Sequence, residues 1–149
     1  MCLATIFHFC ILYSETMKGG IVLSAVGYIQ VHAYTSTAEI PLEDVAVTVT
    51  DTSGAAIAMR LTNRSGKLDD PIEIIVPDLA ASLTPNTGVI PFSVVNLYAR
   101  LENYEEIEIE NLQIFANTAT LQNLELIPLS ELPDSWNKAE LFNTPAQNL

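Results

Sequence analysis

The chain has 149 residues, 18 acids against 6 bases, a formal net charge of −12 and 49% hydrophobic residues. That length fits one domain with enough apolar content to build a core without metals or disulfides, and the negative charge repels phosphate backbones and anionic lipid, so nucleic acid and membranes are excluded as natural partners. Both cysteines, Cys2 and Cys10, fall at the start of the chain, which leaves the rest with neither a disulfide framework nor a thiolate metal site.

The opening MCLATIFHFCILYSE is apolar, but it lacks a basic leading region and is shorter than the about 20 residues that span a bilayer as helix. The next run, MKGGIVLSAV, is nearer to a signal peptide. It leads directly into GYIQVHAYT, however, and cleavage after Ala33 would remove a strand. The expectation is therefore an extension over residues 1–26 outside the fold, with a native start at or near Met17, a cleaved signal as the weaker reading, and no convincing signal peptide or transmembrane helix.

From Gly27 the hydrophobic period is close to two, which is the repeat of a half-buried strand. Ile29, Val31 and Ala33 alternate with Gln30, His32 and Tyr34, Val45, Val47 and Val49 with Ala46, Thr48 and Thr50, and Ile57, Met59 and Leu61 with Ala58, Arg60 and Thr62. Further strands are expected at 72–76, 92–101, 105–110 and 120–127, seven in all. Short strands separated by turn residues predict an all-β chain, a seven-stranded antiparallel β-sandwich of Greek-key type over residues 27–129. The Ser53-Gly54 and Ser65-Gly66 pairs read as tight reversals, because glycine takes positive φ without steric cost and serine bonds nearby backbone. Neither opens a helix, as a phosphate loop would. Residues 77–91, bounded by Pro77 and Pro91, form a long connection and the expected contact loop, with Asp78, Ser82, Asn86 and Thr87 as its contact residues. Residues 130–149 read as a tail or linker with one helical turn around SWNKAELF, from which Trp136 and Phe142 are placed to dock on the sandwich.

Few residues suggest chemistry. Glu106, Glu108 and Glu110 share one strand face and carry donors for a hard cation, but calcium loops draw their oxygens from a turning backbone, so a solvated outer face is expected. Asp69 and Asp70 have the residue types of an acid and base pair for sugar hydrolysis but lack a third anchored group. His32 lies mid-strand, where a hydrogen-bonded or exposed role is the ordinary one. The spacing of His8 and Cys10 fits no nucleophile motif. Tyr28, Tyr34, Tyr98 and Tyr104 have the faces to stack on sugars, although sheets use tyrosine routinely for packing. No catalytic, cofactor-binding or metal residue is assigned, no cofactor is expected, and the chain is read as not an enzyme.

The order of strands and loops carries a resemblance. GYIQVHAYTSTAEIPLEDVAVTV (Gly27 to Val49) resembles the opening of carboxypeptidase-regulatory-like, or transthyretin-like, β-sandwich modules. More narrowly, the chain resembles the amino-terminal domain of clostridial spore cortex-lytic proteins. The residues that carry this are Tyr34-Thr35-Ser36, Ile40-Pro41-Leu42-Glu43, Thr62 through Ser65-Gly66, Pro77-Asp78 with Ser82 and Pro85, Pro91-Phe92, Leu112-Gln113-Ile114-Phe115, Leu126-Ile127-Pro128-Leu129 and the closing Gln147-Asn148-Leu149. Where the resembled proteins have His-Pro-Gly-Tyr, this chain has Leu101-Glu102-Asn103-Tyr104, and Asn103 replaces glycine at a left-handed position. Ala146 interrupts their Pro-Gln-Asn-Leu junction. The resemblance implies a non-catalytic accessory module, spore- or cell-wall-associated, whose partner is a protein or peptidoglycan. Other expectations are a surface adhesin or stalk domain, whose version with an internal Lys-to-Asn bond is disfavoured because Lys18, Lys67 and Lys138 lie outside the predicted strands, and a small glycan-active enzyme using Asp69 and Asp70.

Overall fold

A computed structural model of the chain describes residues 24–78, 80, 90–131 and 139–145. The alternating segments form β1 (Ser24–Thr35), β2 (Ile40–Pro41), β3 (Ala46–Asp51), β4 (Ala56–Leu61), β5 (Ile72–Pro77), β6 (Phe92–Arg100), β7 (Glu106–Phe115), β8 (Ala119–Glu125) and β9 (Ala139–Asn143). β1 is the spine of one sheet. Along one side it pairs antiparallel with β5 and, at its end, with β2; along the other it runs parallel to β8. The second sheet has the order β4-β3-β6-β7-β9.

The two sheets close over one aliphatic core. Ile29, Val31 and Ala33 of β1, Ile72, Ile74 and Val76 of β5, and Leu124 of β8 meet Val47 and Val49 of β3, Val95, Leu97 and Ala99 of β6, and Ile107, Ile109, Leu112 and Ile114 of β7. Each fully buried aliphatic side chain stabilises the fold by roughly 1.5–3 kcal/mol. Gly27 lies where β1 crosses the end of β7: a Cβ there would come within 2.5 Å of Ile114 Cγ2 and of the Phe115 carbonyl oxygen, so the close approach of the sheets requires glycine.

β7 keeps its apolar face inward by breaking its own alternation. Ile107 and Ile109 point into the core, and so do Leu112 and Ile114, which strict period two would turn outward. The extra residue is Asn111, at φ 58°, where the β6–β7 register shifts. Its N–H donates to Asn96 Oδ1 at 3.1 Å, and its side-chain Nδ2 donates to Asn143 Oδ1 at 3.0 Å, so the bulge is stitched to both neighbouring strands.

The two Ser-Gly reversals share one device. Asp51 Oδ1 accepts from the N–H groups of Ser53 (2.8 Å) and Ala55 (2.9 Å), and Asn63 Oδ1 accepts from those of Ser65 (2.9 Å) and Lys67 (3.2 Å). The side chain two residues before the serine makes the turn, and the serine is its partner. Ser53 Oγ donates to Asp51 at 2.6 Å, and this bond leads the causes that hold the Asp51 carboxyl below its ordinary range. Gly66 sits at φ 69° with its Cα against β1, where an added Cβ would collide with the Ala33 carbonyl oxygen. That approach lets Gly66 O accept from Ala33 N–H at 2.7 Å, while Ala33 O accepts from Leu42 N–H at 3.0 Å.

Several expectations are corrected. The described residues form nine strands rather than seven, and the β1–β8 and β7–β9 pairings are parallel, so the sandwich is not wholly antiparallel. β1 begins at Ser24, within the segment expected to lie outside the fold, and its first residues pair with β5. Of the expected helical turn at 135–142, Ala139–Phe142 belong to β9 instead, while Trp136 lies outside the described residues. The alternation of Ile57, Met59 and Leu61 does not mark a buried face: Met59 is 63% exposed and stands opposite Thr48, on the outside of the sheet, while Ala58 stands opposite the buried Val49. Asn103 occupies the left-handed region at φ 68°, as the sequence suggests.

Thr62 fixes the entry to this sheet. It is buried, its hydroxyl donates to Leu42 O at 2.7 Å, and its oxygen accepts from Val45 N–H at 3.0 Å. Thr62→Val leaves both backbone groups unsatisfied and is expected to lower unfolding free energy by about 1–3 kcal/mol in urea titrations, with Thr62→Ser retaining most of it. Equal midpoints for the valine variant and the wild type would contradict the assignment.

Candidate functional site

The sandwich is open along the side where β8 ends one sheet and β9 the other. A groove of about 620 Å³ runs there, with Ile107, Ile109 and Leu124 on its floor, Glu140 and Phe142 of β9 along one wall, and Tyr34 and Glu125 among the residues at its opposite rim. β9 places its own residues by parallel pairing with β7: Glu140 stands opposite Ile107 and Phe142 opposite Ile109, on the core-facing side but beyond the edge of the other sheet. Phe142 is consequently 46% exposed rather than docked. Thr144 N–H donates to Glu110 O at 3.0 Å, and Gln113 Nε2 donates to Pro145 O at 3.4 Å, which holds the segment after β9 to β7.

Near this groove, Glu105 is a buried acid. It is 4% exposed, its N–H donates to Ile127 O at 3.0 Å, and its Oε1 accepts from Ile127 N–H at 3.1 Å. Desolvation pushes its carboxyl above the ordinary value of 4.5; the bond from Ile127 opposes this and the charges of Glu140 and Glu125 add to it. Three acids therefore gather on this side of the sandwich, and strict alternation itself turns Glu105 inward, in phase with the buried Ile107 and Ile109. It follows Tyr104, which packs on the core and bridges to Pro128.

The residues singled out from sequence are scattered. Glu106, Glu108 and Glu110 lie on the outer face of β7; Arg100 Nε donates to Glu106 at 3.0 Å, and the Tyr98 hydroxyl is held above its ordinary range first by its hydrogen bond to Glu108. Asp69 accepts from Asn63 Nδ2 at 2.8 Å and so braces the turn, and Asp70 is exposed in the same loop. His32 is on the outer face of β1 with its ring 5.3 Å from that of Tyr34, beside Lys67 in a smaller groove of about 280 Å³. Tyr98 is on the other sheet and Tyr104 at the core, so the four tyrosines form no single platform. Lys67 is exposed. Asp78 Oδ1 accepts from Ala80 N–H at 3.2 Å, whereas Ser82, Asn86 and Thr87, like Cys2, His8, Cys10, Lys18 and Lys138, lie outside the described residues. Among the described residues no group of three His, Cys, Asp or Glu is placed to hold a metal ion, and no helix is long and apolar enough to cross a membrane.

No family model matches the chain, and no curated protein matches it. Among solved structures it is similar to the minor pilin of the Gram-positive pathogen Streptococcus agalactiae, at 12% identity over 74% of this chain and 48% of that one, with a TM-score of 0.44. It is also similar to a type II cohesin–X-dockerin complex from Acetivibrio cellulolyticus, at 15% identity over 70% and 57%, with a TM-score of 0.34. The chain thus spans about half the length of the solved chains it matches. Both scores are low, so the all-β, two-sheet architecture rests on the pairings described above, and the resemblance to spore cortex-lytic proteins gains no support from these matches.

Glu105 links the groove to pH. Because its folded carboxyl holds the proton more tightly than the unfolded one, its contribution to stability is greatest below the ordinary value of 4.5 and falls as pH rises through the higher folded value. Glu105→Gln keeps an oxygen for Ile127 N–H and removes the charge. Its denaturation midpoint is expected to gain on that of the wild type as pH rises from 4 to 7, and a constant difference across that range would contradict the placement.

Proposed function

We propose that the chain is a non-catalytic accessory β-sandwich module that makes protein or cell-wall contacts, in the setting of a spore cortex-lytic or peptidoglycan-associated protein and with a carboxypeptidase-regulatory-like strand order. The observation that carries this reading is the groove between β8 and β9. It combines the ring of Phe142 with the carboxylate of Glu140 and the amide of Gln122, with Tyr34, Glu125 and Asn143 among the residues at its rim, on a wide and open surface. Rings and amides of this kind stack on and hydrogen-bond to hydroxyl- and amide-bearing chains, and the acids favour neutral or cationic groups over phosphate. Peptidoglycan and its peptide stems offer that chemistry. The connection carrying Asp78, Ser82, Asn86 and Thr87 is proposed as a second contact.

A surface adhesin or stalk-type structural domain is the alternative reading, favoured by the free outer edges of the second sheet among the described residues. A glycan-active role for Asp69 and Asp70 is the weakest, because Asp69 is engaged by Asn63.

Co-sedimentation of the purified full chain with cortex peptidoglycan tests the proposal. Retention is expected above that of an acidic control protein, and Phe142→Ala should lower the binding constant about fivefold, the effect of losing about 1 kcal/mol of aromatic contact. Retention equal to the control would sink the cell-wall reading.

A further inference from the structure

The second sheet ends on two strands of unlike character, β4 and β9, and among the described residues neither has a neighbour on its outer side. β4 lies within residues 52–68, a stretch with no acid that holds Arg60, Arg64 and Lys67, half of the 6 bases of this acidic chain. β9 carries Glu140, on the side where three acids gather. Both strands expose large apolar side chains to solvent: Ile57, Met59 and Leu61 on β4, Leu141 and Phe142 on β9. Open apolar edges free of proline are sites of strand addition.

The directions and register of the sheet say what fits there. β4 and β6 run opposite to β3, β7 runs opposite to β6, and β9 is parallel to β7, so β9 and β4 point in opposite senses. Lateral repetition of the sheet therefore brings β9 of one copy against β4 of another in the antiparallel arrangement. Met59, Thr48, Tyr98, Glu108 and Leu141 form one continuous row of cross-strand partners. Extending that row by one strand sets Leu141 opposite Met59 of the next copy. Ala139 then faces Leu61, Phe142 faces Ala58, and Glu140 faces Arg60, so an acid meets a base and apolar side chains meet each other without sliding the strands.

We propose that β4 and β9 are complementary halves of one interface, through which copies of this chain associate head to tail into a continuous sheet. In the single chain Arg60 Nη1 donates to the Met59 carbonyl at 3.0 Å, and among the described residues it has no carboxylate partner. Strand addition hands that carbonyl to an incoming N–H and frees the guanidinium for Glu140. Such a contact is heterologous, so it leaves one free edge at each end and does not close at a dimer. The inference stands on the sheet edges and is independent of what occupies the groove.

Sedimentation velocity of the full chain, over a concentration series at low and high salt, tests it. The mean mass is expected to grow with concentration past that of a dimer, and to fall as salt screens the Glu140–Arg60 pair. Met59→Lys and Leu141→Lys, both at solvent-exposed positions, should each give monomers with unchanged circular dichroism. Mixed together, they should form a heterodimer and nothing larger, because the first keeps a working β9 and the second a working β4. A wild-type chain that stays monomeric at its highest soluble concentration would overturn the proposal. So would a closed dimer that Met59→Lys abolishes and Leu141→Lys leaves intact, which would assign β4 to a two-fold contact with itself.

Discussion

Two sheets can share one long core only if the strands at its centre keep an aliphatic face toward the other sheet, and β7 meets that condition by carrying one residue too many. A strand of ten residues in unbroken alternation would bury Ile107 and Ile109 and expose Leu112 and Ile114, or the reverse. Asn111 absorbs the extra residue in a left-handed conformation that asparagine tolerates better than a branched side chain. Its backbone N–H, bonded to Asn96, and its side-chain amide, bonded to Asn143, then tie β6, β7 and β9 together at the point where the ladder is interrupted. The long inter-sheet core and the position of β9 both follow from that slip.

The remaining constraints are local and polar. Asx side chains at 51 and 63 close two reversals with the same pair of backbone bonds, Gly66 lets the second reversal rest on the backbone of β1, and Thr62 couples the loop before β3 to the end of β4. These contacts decide which face of β4 is inward, and they override its hydrophobic pattern. Ala58 and Thr62 face in, and Ile57, Met59 and Leu61 face out. A turn that sets register at the cost of exposing aliphatic side chains leaves a surface with an affinity of its own, which gives a physical reason for the edge to be used.

Much of the fold was legible where burial and alternation coincide, as at Ile29, Val31 and Ala33 or Val45, Val47 and Val49. It was less legible where a second rule competed. The latter half of β7 was missed because period two fails at Asn111. The face of Met59 was misread because turn geometry, which a hydrophobic pattern does not record, chose the register. β9 was missed because all five of its residues are exposed and its pairing with β7 is parallel and distant in sequence. The parallel pairing of β1 with β8 is hidden for the same reason. Of the groove, Phe142 is legible as an aromatic side chain beyond the last predicted strand, whereas the proximity of Glu105 to Glu140 exists only in the folded chain.

The functional reading follows from what this architecture leaves at its margins. The interior is filled by aliphatic packing, and polar and aromatic groups lie along the open side and the sheet edges, on a scaffold of paired strands. All of this depends on β7 keeping both halves of its apolar face inward. Deletion of Asn111 tests that dependence directly: returning β7 to strict alternation should turn two aliphatic side chains out of the core and lower the unfolding free energy by about 3–6 kcal/mol in urea titrations, while Asn111→Gly stays close to the wild type. A deletion variant with the wild-type midpoint and slope would contradict the account.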